Sequence, residues 1–265
     1  MFLLLMACTP PQDARTIEHA VATAVPLAWV GTLAIGAYEG ASNACVIWES
    51  ECFTSPCVGA FELIPDDEVC PLPIAGQLEG SVTVTVAGGD EQGTALFGAW
   101  FGDLSTDGAE LWLGSADGAV ASRVDEGVMV SFTDLEVEVP EDGVAVLEAA
   151  WVVAIDEGGS PGDTTDDTLT LQGAAQWVAA GDEEASVKQT VLADVTLTPD
   201  CRKNPTSGGG GVQNTGADGA EDSTGPVTYD LITVVFHEEC DGQAEILAAG
   251  TGGATGGSFD LSLER

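Results

Sequence analysis

"SVTVTV", residues 81–86, alternates strictly: Val82, Val84 and Val86 leave an extended chain on one side, Ser81, Thr83 and Thr85 on the other. Successive side chains of a strand point to opposite faces, so this pattern belongs to a sheet with one dry face and one wet face. The same period recurs in "LEVEV" (135–139) and in "SFDLSLE" (258–264), where Phe259, Leu261 and Leu263 share a side. Between these lie longer apolar runs, "GVAVLEAAWVVAID" (143–156), "DTLTLQGAAQWVAA" (167–180), "SVKQTVLADVTLTP" (186–199) and "VTYDLITVVFHEE" (227–239). Several exceed the usual strand length. Asp-Gly, a dipeptide that favours hairpin turns, recurs at 107–108, 117–118, 142–143, 218–219 and 241–242. No helical pattern separates the strands, which disfavours a parallel α/β fold. The expected fold is mainly β: an antiparallel sandwich or curled meander of about eight to ten strands, with an N-terminal helix and a Cys-rich stapled segment.

A chain of 265 residues with 45% hydrophobic content has ample material for a core. Its charge is unusual. Forty-four acids stand against six bases, a net of −38, and between Arg15 and Arg202 only Arg123 and Lys188 interrupt the negative field. Such a surface repels phosphate backbones and anionic headgroups, which excludes nucleic acid as a partner. It suits a solubility device, a saline habitat or a binder of divalent cations.

At the N-terminus, Phe2-Leu3-Leu4-Leu5-Met6 is apolar but too short to span a bilayer. Leu5 stands three places before Cys8, and the small Ala7 immediately before it. These residues, 4–8, resemble the lipobox of bacterial lipoproteins. The resemblance implies cleavage after Ala7, lipidation of Cys8 as the new N-terminus, and attachment to the membrane through that lipid. Thr9 follows the cysteine where an Asp would, in that family, signal inner-membrane retention, so an exported protein of the outer membrane or cell surface is expected. Residues 1–7 are then a signal-peptide remnant and 8–13 a lipidated tether.

The six remaining cysteines, Cys45, Cys52, Cys57, Cys70, Cys201 and Cys240, are an even number, as an exported disulfide framework would have. Fifteen pairings are open. The first four fall within 26 residues at spacings that lack the C-x2-C knuckle of a zinc site. Residues 39–78 are therefore read as a stapled Cys-rich segment, joined in one domain to an antiparallel β domain over 79–265. Residues 14–38 are Ala-rich, with Ile17, Val21, Ala24, Val25 and Ala28 at helical spacing and Pro26 as an interruption. Positions 20–38 carry no charge. That raises a membrane span, but the Ala, Gly, Thr and Pro content favours a helix packed on the body. Two polar stretches, 157–168 and 206–225, are read as flexible loops, the second holding seven glycines in twenty residues.

Catalytic signatures do not emerge. "HEECD" (237–241) has Asp241 where a zincin needs its second histidine, and its context is β. "GTGGAT" (250–255) lacks the third glycine of a dinucleotide fingerprint. No phosphate-binding loop or nucleophile elbow occurs. No catalytic residue is assigned and no enzyme is expected. One faint binding signal remains: Asp163, Asp166 and Asp167 repeat the spacing of Asp218, Glu221 and Asp222, each set in a Gly-bearing segment. Three carboxylates in a pliable loop would suit calcium, the one cofactor the sequence suggests. The leading expectation is a lipid-anchored acidic envelope protein with a structural or binding role. The alternatives are a calcium-assisted module binding a glycan or protein, an integral outer-membrane β-barrel, and, last, an envelope hydrolase.

Overall fold

The computed structural model describes residues 15–40, 46–48, 59–63, 78–90, 92–106, 109–110, 113–125, 127–139, 143–156, 166–179, 188–201, 204–214, 229–250 and 253–260. Among these residues one helix, α1 (Arg15–Tyr38), precedes fourteen strands: β1 (Val46–Trp48), β2 (Gly59–Leu63), β3 (Leu78–Asp90), β4 (Thr94–Thr106), β5 (Ala109–Glu110), β6 (Leu113–Val124) and β7 (Gly127–Val139). The series continues with β8 (Gly143–Asp156), β9 (Thr168–Ala179), β10 (Lys188–Leu197), β11 (Ser207–Asn214), β12 (Tyr229–Phe236), β13 (Gln243–Gly250) and β14 (Gly253–Asp260). All belong to one antiparallel sheet whose spatial order follows the chain, with the two-residue β5 attached to β4 off the main path. The meander is thus the architecture, with more strands than the long apolar runs alone suggest.

The alternation of "SVTVTV" sets its inner face. Val82, Val84 and Val86 are buried, as are Phe97 and Phe101 on β4, Phe132 on β7, Trp151 on β8 and Leu171 on β9. Phe132 and Trp151 meet edge to face, ring centroids 5.8 Å apart, the arrangement that aromatic quadrupoles favour.

What that face covers is α1. Ile17, Ala20, Val21, Ala24, Val25, Leu27, Ala28, Val30, Leu33, Ala34 and Ile35 are all buried and cover most of the helix's circumference, the half-buried Trp29, Thr32 and Gly36 falling on the remaining side. A helix apolar round nearly all of its surface is a core element, and α1 touches β3, β4 and β6 through β11. The sheet curls about it. Close approach needs small residues: a Cβ on Gly31 would stand 2.8 Å from the Ala121 Cβ and 3.0 Å from Val130 Cγ2. Pro26 is accommodated inside the helix. Gly40, at φ 75°, closes it in the left-handed conformation, its N–H donating to the Ala37 carbonyl at 3.0 Å. Beyond this end Tyr38 donates to the Gly89 carbonyl at 2.9 Å, and Arg123 pairs with Glu39 at 2.7 Å. The pair is largely exposed and adds little stability. It does mark where the helix leaves the sheet, beside the β3–β4 hairpin.

Two expectations are corrected. Residues 207–214, read from composition as part of a flexible loop, form β11, paired on both sides with β10 and β12. Glycine is entropically poor in a strand, but here bare backbone is useful: a Cβ on Gly210 would lie 2.5 Å from the Val191 carbonyl oxygen and 2.7 Å from Ile17 Cδ1, so its absence leaves room for the helix's Ile17. The pair Asp117-Gly118 is not a hairpin turn. It lies within β6, where the register shifts and Gly118 adopts φ 66°, a bulge that bends the strand.

A second bulge interrupts β10 at Asp194, φ 51°, whose carboxylate accepts from Gln172 Nε2 at 2.7 Å. The turn at Asp90 is held locally, its carboxylate accepting from the Gln92 and Thr94 amides at 3.0 and 3.1 Å.

Candidate functional site

The meander alternates ends at every turn, and this decides which expected site residues can meet. Segments 90–94, 157–167, 198–206 and 237–242 join strands at one end of the sheet; the β11–β12 connection lies at the other. The two acidic segments singled out for calcium therefore connect strands at opposite ends and would act separately. Asp166 is half-buried and Asp167 buried just before β9. Asp163, Asp218, Glu221 and Asp222 lie outside the described residues. Among the described residues no group of three or more His, Cys, Asp or Glu is arranged to hold a metal ion. In 0.5 M sodium chloride, added calcium is expected to leave the thermal midpoint unchanged. A saturable rise, abolished by Asp163→Asn or Asp218→Asn, would instead assign a site, since ligand at a hundredfold excess over Kd stabilises by about 2.7 kcal/mol.

The end bearing the β12–β13 hairpin is covalently closed. Cys201 and Cys240 form a disulfide, Cα–Cα 5.6 Å, across a sequence separation of 39. It ties the connection after β10 to the tip of the β12–β13 hairpin. Cys201 is buried and donates its amide to the Thr198 carbonyl at 2.9 Å. The hairpin tip is a turn: Gln243 N donates to Asp241 Oδ1 at 2.8 Å, His237 N to the Gln243 carbonyl at 3.3 Å, and Gly242 has φ 70°. "HEECD" is therefore turn and not strand. His237 is half-buried, and Glu238 and Glu239 are exposed. The other four body cysteines, Cys45, Cys52, Cys57 and Cys70, lie outside the described residues, as does Cys8.

One surface feature was missed by reading the sequence for alternation. On the outer face of β10 to β13, Val191, Leu231, Val235 and Leu247 are 50%, 48%, 51% and 56% exposed. Register places Val191, Gly211, Thr233, Leu247 and Gly256 in one row across five strands. Leu231 and Val235 flank Thr233 on β12, diagonal to Leu247, within side-chain reach. The signal was present in "DLITVVF" (230–236): Ile232, Val234 and Phe236 fill the core, yet Leu231 and Val235 between them are apolar too. A strand that is apolar on both faces has two surfaces to cover.

Comparison of the chain with known protein families, curated proteins and solved structures finds no match. The functional reading rests on these residues themselves.

Proposed function

We propose that this chain is an exported, lipid-anchored protein of the bacterial envelope, attached through Cys8, with a structural or binding role. The observation that supports it best is the place of α1. The uncharged stretch 20–38 is the one long apolar segment of the chain, and it is consumed as the core of the sheet. No described helix is long and apolar enough to cross a membrane. The attachment proposed is the lipobox-like "LLMAC" at 4–8. The Cys201–Cys240 disulfide fits an oxidising compartment. An integral barrel is less well supported. Its strands would turn apolar residues outward to lipid and polar ones inward, whereas Val82, Phe97, Phe132 and Leu171 turn inward and Thr85, Glu148, Gln172 and Glu245 stand exposed.

The test is phase partitioning of envelope-expressed protein. The natural chain is expected in the detergent phase and Cys8→Ser in the aqueous phase, with the same thermal midpoint. Detergent partitioning unchanged by Cys8→Ser would move the membrane contact to the folded body and end this reading.

A further inference from the structure

We infer that the outer face of β10 to β13 docks a cationic, extended polypeptide segment with apolar side chains at alternate positions. This gives a partner to the binding role proposed above and is independent of the anchor at Cys8. Its first support is shape. Gly211 lies between Val191 on β10 and Thr233 on β12. A Cβ placed on it would meet only the Ile232 carbonyl oxygen, at 3.5 Å, so the space above this backbone is open. Strands are about 4.8 Å apart, which makes this lane roughly 10 Å wide from β10 to β12. It is bordered by Val191 on one side and by Leu231 and Val235 on the other, with Leu247 beyond. An apolar side chain inserted there would be covered on both flanks, and an extended segment presents one such side chain every second residue.

The second support is charge. From Asn204 to Glu264 the chain has ten acids and neither Lys nor Arg. Glu245 stands opposite Val235, and Glu238, Glu239 and Asp241 are exposed at the nearby hairpin tip. The nearest bases in sequence are Lys188, which opens β10 three residues before Val191, and Arg202, Lys203 and Arg265, which lie outside the described residues. A second copy would bring its own net of −38 against this one, and an anionic bilayer would be repelled likewise. A basic segment is attracted and then held by apolar insertion, with charge setting the on-rate and salt dependence.

The experiment is isothermal titration at 0.15 M salt of the full Cys8→Ser chain with two ten-residue peptides, one alternating Lys with Val, the other Lys with Ser. The Lys-Val peptide is expected to bind at least tenfold more tightly. Leu247→Ser and Gly211→Val, the second filling the lane, should each remove most of that advantage. Trp100→Ser, which alters an equally exposed aromatic on β4, should leave it intact. Val191→Thr replaces Leu247→Ser if the latter fails to fold. Equal affinity of the two peptides, or indifference to Leu247→Ser and Gly211→Val, would overturn the proposal. Dimerisation by sedimentation, or binding to zwitterionic vesicles, would overturn it in favour of another occupant if abolished by Leu247→Ser. A failed docking test with normal release of Cys8→Ser from the membrane leaves the anchor reading standing.

Discussion

Leu27→Asp is expected to yield no folded protein. Leu27 is fully buried near the middle of α1, a helix buried round most of its circumference by the curled sheet. Truncating a buried Leu costs about 2–5 kcal/mol. Placing an unpaired carboxylate at such a site adds several kcal/mol more, whether it stays charged or binds a proton. A domain has only about 5–15 kcal/mol in total. The control is Leu247→Asp, at a position 56% exposed on the outer face, expected to change stability by less than about 0.5 kcal/mol. Circular dichroism and urea unfolding of the two purified variants make the comparison. A folded Leu27→Asp protein with a near-normal midpoint would mean that α1 is not enclosed.

The second large effect separates neighbouring glycines. Gly210 and Gly211 are adjacent in a strand, yet a Cβ on Gly210 would stand 2.5 Å from the Val191 carbonyl oxygen and 2.7 Å from Ile17 Cδ1, whereas one on Gly211 would meet only the Ile232 carbonyl oxygen, at an ordinary 3.5 Å. Gly210→Val must therefore move backbone as well as the tip of Ile17. The expected loss is at least the about 1–3 kcal/mol typical of overpacking. Gly211→Val adds a β-branched residue to an exposed strand position, neutral or up to about 1 kcal/mol favourable. Thermal unfolding should show midpoints moving in different directions, Gly210→Val down and Gly211→Val level or up. If both substitutions were silent, residues 207–214 would behave as the loop their composition suggests and not as β11.

The fold was legible wherever burial is one-sided. The three valines of "SVTVTV" are the ones that the sheet buries, because a period of two on a strand translates directly into faces. The helix was legible as a helix, but the spacing of Ile17, Val21 and Ala24 describes a single packed stripe. Burial round most of the helix was indicated only by the absence of charge from 20–38, a signal shared with membrane spans. Two features escaped because glycine has no side chain to carry a pattern. Gly208–Gly211 look unstructured until their neighbours are placed, Gly210 against Ile17 of the helix and Gly208 and Gly209 against the backbone of β10 and β12, and Gly118 takes the left-handed conformation in a bulge as readily as in a turn. The outer apolar face escaped for a different reason. Leu231 and Val235 blur the alternation of β12, and a run apolar on both sides reads simply as buried. The acidic segments remained ambiguous because forty-four acids leave every polar stretch with carboxylates.

The account turns on α1 being the core of the sheet, the observation on which the proposed attachment through Cys8 rests. Amide hydrogen exchange of the Cys8→Ser chain, free of lipid and detergent, tests this most directly. Amides of residues 20–37 are predicted to exchange as slowly as those of β6 to β8, near the global unfolding limit. Fast exchange across 20–37 while the strands stay protected, with protection gained only on adding bilayers, would contradict it.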